Sequence, residues 1–550
     1  MKIETNHSPS RRKKLPLLLA NCVAAFLLYQ WLGCYFVPKL SANTRTRVVD
    51  LVIGNKILSP DGFQRSTVLA GGTFPGQAIT GVKGDRFLIN VVNKLTDESM
   101  LRTTSVHWHG IFQRKSSWAD GSSFVTQCPI VPNNSFVYDF SVPDQAGTFW
   151  YHSHDSTQYC DGLRGAFIVY DPSDPHRHLY DVDDESTIIT LADWYHTSST
   201  ILERAEEQMS NSTLINGKGR YLGGPVTPLS VIKVQQSKRY RLRIIATSCH
   251  PHFAFSIDGH QLTIIEADGE NTEPLLVDSF EIHSGQRYSA ILHANNRVQN
   301  YWIRSEPNIE HGIPGFAGGI NSAILRYEGA PEEEPKTIQE PSVKPLREED
   351  LSPLVSLPAP GLSIAGGKGV DVSLHFSYSF NLRSVTWKLN GKSWASPSIP
   401  VLMQVMNGSR TAKDMLAQDM VYTLPPNKVV EISISGRGKG DHPFHLHGHS
   451  FSVVRSAGSD TYNFKSPVRR DTVNTGSGHD NVTIRFITDN GGPWFFHCHI
   501  DWHLEIGMAV VLVEDAAGIA ASLRPPFAWD ALCPAYFQYI SNLSSPALDG

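Results

Sequence analysis

The chain has 550 residues, 18% of them charged and 10% aromatic, with a formal net charge of -5. That length accommodates two to four domains with substantial cores. No basic patch interleaved with aromatic residues occurs beyond the N-terminal segment, which excludes nucleic acid as a partner.

Arg11, Arg12, Lys13 and Lys14 precede an uncharged run over residues 15–38. Its length of about 24 residues is enough to span a bilayer, and the basic flank would stay cytoplasmic. Two readings of segment 1–44 stand side by side: a cleaved signal peptide or a retained signal anchor. Either one puts the rest of the chain outside the cytosol, secreted in the first case and membrane-anchored in the second.

Residues 45–172 read as short strands broken by Gly and Pro, with strands predicted over 86–92 and 136–140. A second block, 173–345, continues the alternation over 239–245 and 262–266. The stretch 329–360 is rich in Pro and Glu and reads as a linker running over the surface. A third block, 346–550, completes the chain. The predicted fold class is all-β, with three sequential Greek-key sandwich or barrel domains.

The chemistry concentrates in four short segments. The first block carries His107-Trp108-His109-Gly110 and Trp150-Tyr151-His152-Ser153-His154. The third carries His442-Pro443-Phe444-His445-Leu446-His447-Gly448-His449, then His497-Cys498-His499, His503 and Met508. The second has no such histidine pair. Side chains on a strand alternate faces, so His497 and His499 point one way and Cys498 the other. One segment can therefore serve two metal centres. A thiolate with imidazoles suits copper, and a thioether such as Met508 would complete a blue-copper site.

Seven cysteines are present. Cys22 and Cys34 fall in the N-terminal run and Cys498 is a candidate ligand, leaving Cys128, Cys160, Cys249 and Cys533. An even remainder in an exported chain suggests two disulfides, with three pairings open. Sequons at Asn133, Asn211, Asn407, Asn481 and Asn542 fit a glycosylated exported protein.

The four histidine segments resemble the four copper-binding motifs of the multicopper oxidases. The text around them, including Ser117-Trp118-Ala119-Asp120-Gly121, resembles the fungal laccases from about Val48 to the C-terminus. The resemblance implies three cupredoxin-like domains, a monomer, the bridges Cys128–Cys533 and Cys160–Cys249, and four copper ions. His442, Cys498 and His503 would hold the type 1 copper, with Met508 axial. His107 and His445 would hold the type 2 copper, and His109, His152, His154, His447, His497 and His499 the type 3 pair. It further implies oxidation of small phenols, as in lignin degradation, with dioxygen reduced to water. Asp120 and Asp501 are the acids nominated to relay protons or to orient a ligating imidazole.

Two positions bear on substrate. Met508 stands where high-potential laccases carry Phe or Leu, which implies a lower potential and easily oxidised phenols. His250 stands where many laccases have an acid that receives the substrate proton; an imidazole there would shift activity towards neutral pH. The alternatives are a metallo-oxidase acting on Fe(II) or Cu(I), using Asp441 or Glu505, and a pigment-forming phenol oxidase. A copper-storage or electron-transfer protein would lack part of the cluster's ligand set, which is complete here.

Overall fold

The computed structural model describes residues 45–203, 205, 207–436, 440–477 and 481–544. The expectations for segment 1–44 lie outside them. No helix among the described residues is long and apolar enough to cross a membrane.

The described residues form six sheets, in three pairs that follow one another along the sequence. In the first pair, Thr46–Leu58 lies parallel to Arg86–Lys94, which pairs antiparallel with Ser135–Ser141. Alternation sets the core: Phe87, Ile89 and Val91 turn inward, as do Phe136, Tyr138 and Phe140. The facing sheet is ordered Gly76–Val82, Arg164–Tyr170, Gly147–Ser153 and Val106–His109. Residues 188–327 supply a seven-stranded and a five-stranded sheet, and residues 372–514 a six-stranded and a five-stranded one. The architecture is thus all-β, three sequential cupredoxin-like domains. The helix Leu532–Ser544, which the sequence pattern did not mark, follows the last strand.

This topology brings the histidine segments together in pairs. In the first domain Val106–His109 is antiparallel to Gly147–Ser153, with His107 opposite His152. In the third, Gly492–Cys498 runs between Pro443–Leu446 and Ala509–Glu514, with His445 opposite His497.

Disulfides and buried ion pairs hold the three domains against one another. Cys128 is bonded to Cys533, with Cα atoms 5.0 Å apart at a sequence separation of 405. Cys160 is bonded to Cys249, joining the first and second domains. Buried ion pairs cross the remaining boundary, between the second and third domains. Arg287 reaches both carboxylate oxygens of Asp471 at 2.7 Å, and Arg470 Nε donates to Asp268 at 2.9 Å. A buried charge is tolerated only when paired in this way. The stretch 329–360 touches the second domain through two isolated bridges, Ser279 with Pro345 and Thr272 with Pro353.

Candidate metal centres

Four groups of buried side chains can each hold an ion, every group having its ligand atoms within 4.8 Å of one another. They are His107, His109 and His445; His109, His152 and His499; His154, His447 and His497; and His442, Cys498 and His503. The alternation on strand Gly492–Cys498 separates them. Cys498 Sγ lies 3.7 Å from the Nδ1 atoms of both His442 and His503, and those two nitrogens are 3.2 Å apart. His497 and His499 turn to the opposite side, among the histidines of the first domain.

The imidazoles are held one by one through the nitrogen that faces away from the cluster. His107 Nδ1 donates to the Asp120 carbonyl at 2.8 Å, His152 Nδ1 to the Ser153 carbonyl at 2.8 Å, and His445 Nδ1 to the Asp471 carbonyl at 2.9 Å. His497 Nδ1 donates to the Cys498 carbonyl at 2.9 Å, His447 Nδ1 to Asp120 Oδ2 at 2.9 Å, and His499 Nδ1 to Ser284 Oγ at 3.0 Å. His109 Nε2 donates to Asp471 Oδ1 at 3.2 Å. Such bonds fix the tautomer and aim the other nitrogen.

That other nitrogen fits a metal. His447 Nε2 and His497 Nε2 face each other at 3.1 Å, as do His109 Nδ1 and His499 Nε2. Each of these rings spends its proton on the opposite side, so lone pair confronts lone pair. Nε2 of His107, His152, His154 and His445 is buried with no hydrogen-bond partner. Burial drives the titration of His109, His152, His154, His447 and His499 well below the usual histidine range, with neighbouring imidazoles adding to it. His497 is lowered to about 3 and His442 to about 4, again mainly by burial. These rings are neutral and their lone pairs are available to a cation. Burial pushes the Cys498 thiol up, so a coordinated ion is what would make it a thiolate. A thiolate with two imidazoles is a copper donor set.

Met508 is fully buried, and its carbonyl accepts from the Cys498 amide at 3.1 Å. Asp120 Oδ2 accepts from His447 and from Ser122 Oγ, which is an orienting role. Asp501 lies instead against the Cys160–Cys249 bridge, its amide donating to the Cys249 carbonyl and its carboxylate 3.3 Å from Cys160 Sγ. Burial, reinforced by Glu505, raises the Asp501 carboxyl well above the usual range.

His503 is the half-buried member of the Cys498 group. Its ring meets Trp387 at 4.8 Å and His250 at 5.3 Å, and His250 stacks on His311 at 3.5 Å. His250 is buried, and that burial, with His311 and His442, puts it well below the ordinary histidine range. Asp441 faces His283 rather than the Cys498 group. Asn133, Asn211, Asn407 and Asn542 are exposed, and Asn481 is half-buried at the start of a strand.

Sequence reading missed Asp471, Ser284 and Gly285. Asp471 and Ser284 hydrogen-bond imidazoles of the histidine cluster, and Gly285 leaves room for two of them, all from segments with no histidine pair. Asp471 sits in an Arg-Arg-Asp-Thr run that resembles a solvated turn, and no local signal marks it.

The three β-sandwiches, with one buried Cys/His₂ group and a shared cluster of eight histidines, define a copper-dependent oxidase. Multicopper oxidase family profiles match residues 53–174, 185–330 and 394–518. Laccase-1 of Pleurotus ostreatus is 56% identical over 498 residues, covering 88% of this chain and 92% of its own. Laccase-4 of Trametes villosa is 56% identical over 493 residues, 89% of this chain and 94% of its own. Among solved structures, the laccase from Botrytis aclada superposes with a TM-score of 0.78 at 30% identity, covering 93% of this chain and 94% of that one. Fet3p, a multicopper oxidase that functions in iron import, gives a TM-score of 0.79 at 28% identity, with 90% and 95% covered. The chain belongs to the multicopper oxidase family, as a laccase-type copper oxidoreductase with dioxygen as acceptor.

Proposed function

We propose that this chain oxidises small phenols one electron at a time beside His503 and reduces dioxygen to water at the histidine cluster. In this reading His442, Cys498, His503 and Met508 would hold one type 1 copper. One type 2 copper is held by His107 and His445, and a type 3 pair by His109, His152, His154, His447, His497 and His499. Copper bound there supplies one-electron exchange at Cys498 and, at the cluster, the four electrons that convert dioxygen to two water molecules.

The observation that carries the reading is the strand alternation at His497-Cys498-His499, which feeds two separate groups from one backbone. Cys498 is joined to each flanking histidine through a single peptide unit, a short covalent path between the groups. His503 and Trp387, both half-buried, offer partly accessible rings for a small aromatic substrate to meet. Asp120 orients His447, and the buried Asp501 carboxyl can hold a proton on its oxygen.

The same reading takes 45–172, 173–345 and 346–550 as the domains, and the chain as a glycosylated extracellular monomer, membrane-bound only if segment 1–44 is retained. The test is oxygen consumption by the copper-loaded protein with a methoxyphenol and with Fe(II). Rapid uptake with the phenol, one dioxygen per four one-electron oxidations, is expected. Preference for iron beyond its autoxidation would overturn the assignment of substrate.

A further inference from the structure

A second set of metal-ligating side chains lies outside the groups described above. His252, Glu281, His283 and Asp441 present ligand atoms that all fall within 4.8 Å of one another.

The fold assembles them from two sources. Phe253–Ile257 pairs antiparallel with Ser279–Ile282, with Phe253 opposite Ile282 and Ala254 opposite Glu281. Continuing that register by one residue sets His252 opposite His283. Glu281 is two residues before His283, on the same face. The two imidazoles stack with ring centroids 4.6 Å apart. Asp441 arrives from the third domain, from the loop that leads into His442, and its Oδ2 lies 3.3 Å from His283 Nε2. A cavity of about 300 Å³ is lined by Glu281, His283 and Asn474, so a hydrated ion can reach them.

We propose that His252, Glu281, His283 and Asp441 form a binding site for a single divalent first-row transition-metal cation. Two imidazoles and two carboxylates are a donor set of borderline character, suited to Zn²⁺ or Cu²⁺ more than to Mg²⁺ or Ca²⁺, which take oxygen alone. The two carboxylates match the charge of one divalent ion. Ligand atoms around a tetrahedral ion with bonds of about 2.1 Å stand roughly 3.4 Å apart, and side-chain rotation closes the present separations to that value. Glu281 is exposed and His252 half-buried, so the set can adjust without disturbing the core. The bound ion would fasten the second domain to the loop that carries His442.

The competing account is that His283 and Asp441 form only an interdomain ion pair. Zn²⁺, which is redox-silent, separates the two. Copper-loaded protein is dialysed against Zn²⁺ and its zinc and copper contents and blue absorption are measured, alongside His252→Ala and Glu281→Gln. The wild type should take up one Zn²⁺ per chain with copper content and blue absorption unchanged. Either variant should weaken that uptake by more than about tenfold. Glu281→Gln alters an exposed side chain and keeps the test valid if His252→Ala folds poorly. No stoichiometric uptake by the wild type, or equal uptake by folded variants, would overturn the site.

Discussion

Asp120 shows how much a single residue can be asked to do. Its backbone carbonyl holds His107 and its carboxylate holds His447, so one residue orients imidazoles from two domains. If orientation is its work, Asp120→Asn should largely keep it, because an amide oxygen accepts the same hydrogen bond. Asp120→Ala should weaken copper retention by about 10–100-fold. Copper content after dialysis against a chelator checks both. Equal loss in the two variants would point to the negative charge rather than the hydrogen bond. Asp120 was legible because it lies in a motif beside the histidine segments, and the facing of His497 and His499 away from Cys498 was legible because strand alternation is a local rule. Asp471 and Ser284 were not. They meet His109 and His499 across distances of 362 and 215 residues, and nothing in a local pattern encodes such a meeting.

At the scale of strands, the predicted segments over 86–92, 136–140, 239–245 and 262–266 lie within observed strands. Their partners were not legible. The parallel pairing of Thr46–Leu58 with Arg86–Lys94 depends on a crossover that periodicity does not encode. The turn after Ser279–Ile282 shows what such assembly demands. Gly285 has φ +86°, and a Cβ there would lie 2.9 Å from His499 Cδ2 and 3.0 Å from His109 Cε1. Gly285→Ala should cost about 1–2 kcal/mol in backbone strain and push two ligands of the shared cluster apart. Copper in that cluster should fall while blue absorption from Cys498 persists, as copper analysis beside a visible spectrum would report. A buried contact between strands of the second domain carries a pH-dependent contribution. Burial raises the Glu266 carboxyl, but Arg241 and Arg243 outweigh it and hold the group below its ordinary value. Glu266 also accepts from the Thr148 amide of the first domain at 2.8 Å. A carboxylate depressed in the folded state adds stability above its unfolded pKa, and loses it as pH falls through the folded one. Wild-type stability should therefore decline below about pH 4. Arg241→Met should cost about 3–5 kcal/mol at pH 7 by stranding the buried charge. It should also flatten the acid decline, and urea unfolding at pH 7 and pH 3.5 measures both effects.

For the whole molecule, the two kinds of metal group differ in what they require of the domains. His442, Cys498 and His503 all come from the third domain, so their group survives as long as that domain is folded. The shared cluster takes four histidines from each outer domain and exists only while the two are apposed. The Cys128–Cys533 bridge fastens that apposition, tying the helix Leu532–Ser544 back to the first domain across 405 residues. Closing so long a loop removes much of the unfolded chain's freedom, and loss of such a bridge typically costs about 2–5 kcal/mol. Cys128→Ser combined with Cys533→Ser should therefore do two separable things. It should lower the unfolding temperature, and it should make cluster copper more labile to a chelator at temperatures where blue absorption is still complete. Parallel time courses of copper release and of visible absorption resolve the two centres. Simultaneous loss would mean that the domains separate only when the third one unfolds. The interface would then be held chiefly by its buried hydrogen bonds, such as His447 to Asp120 and the Trp529 indole to the Thr126 carbonyl, rather than by the disulfide.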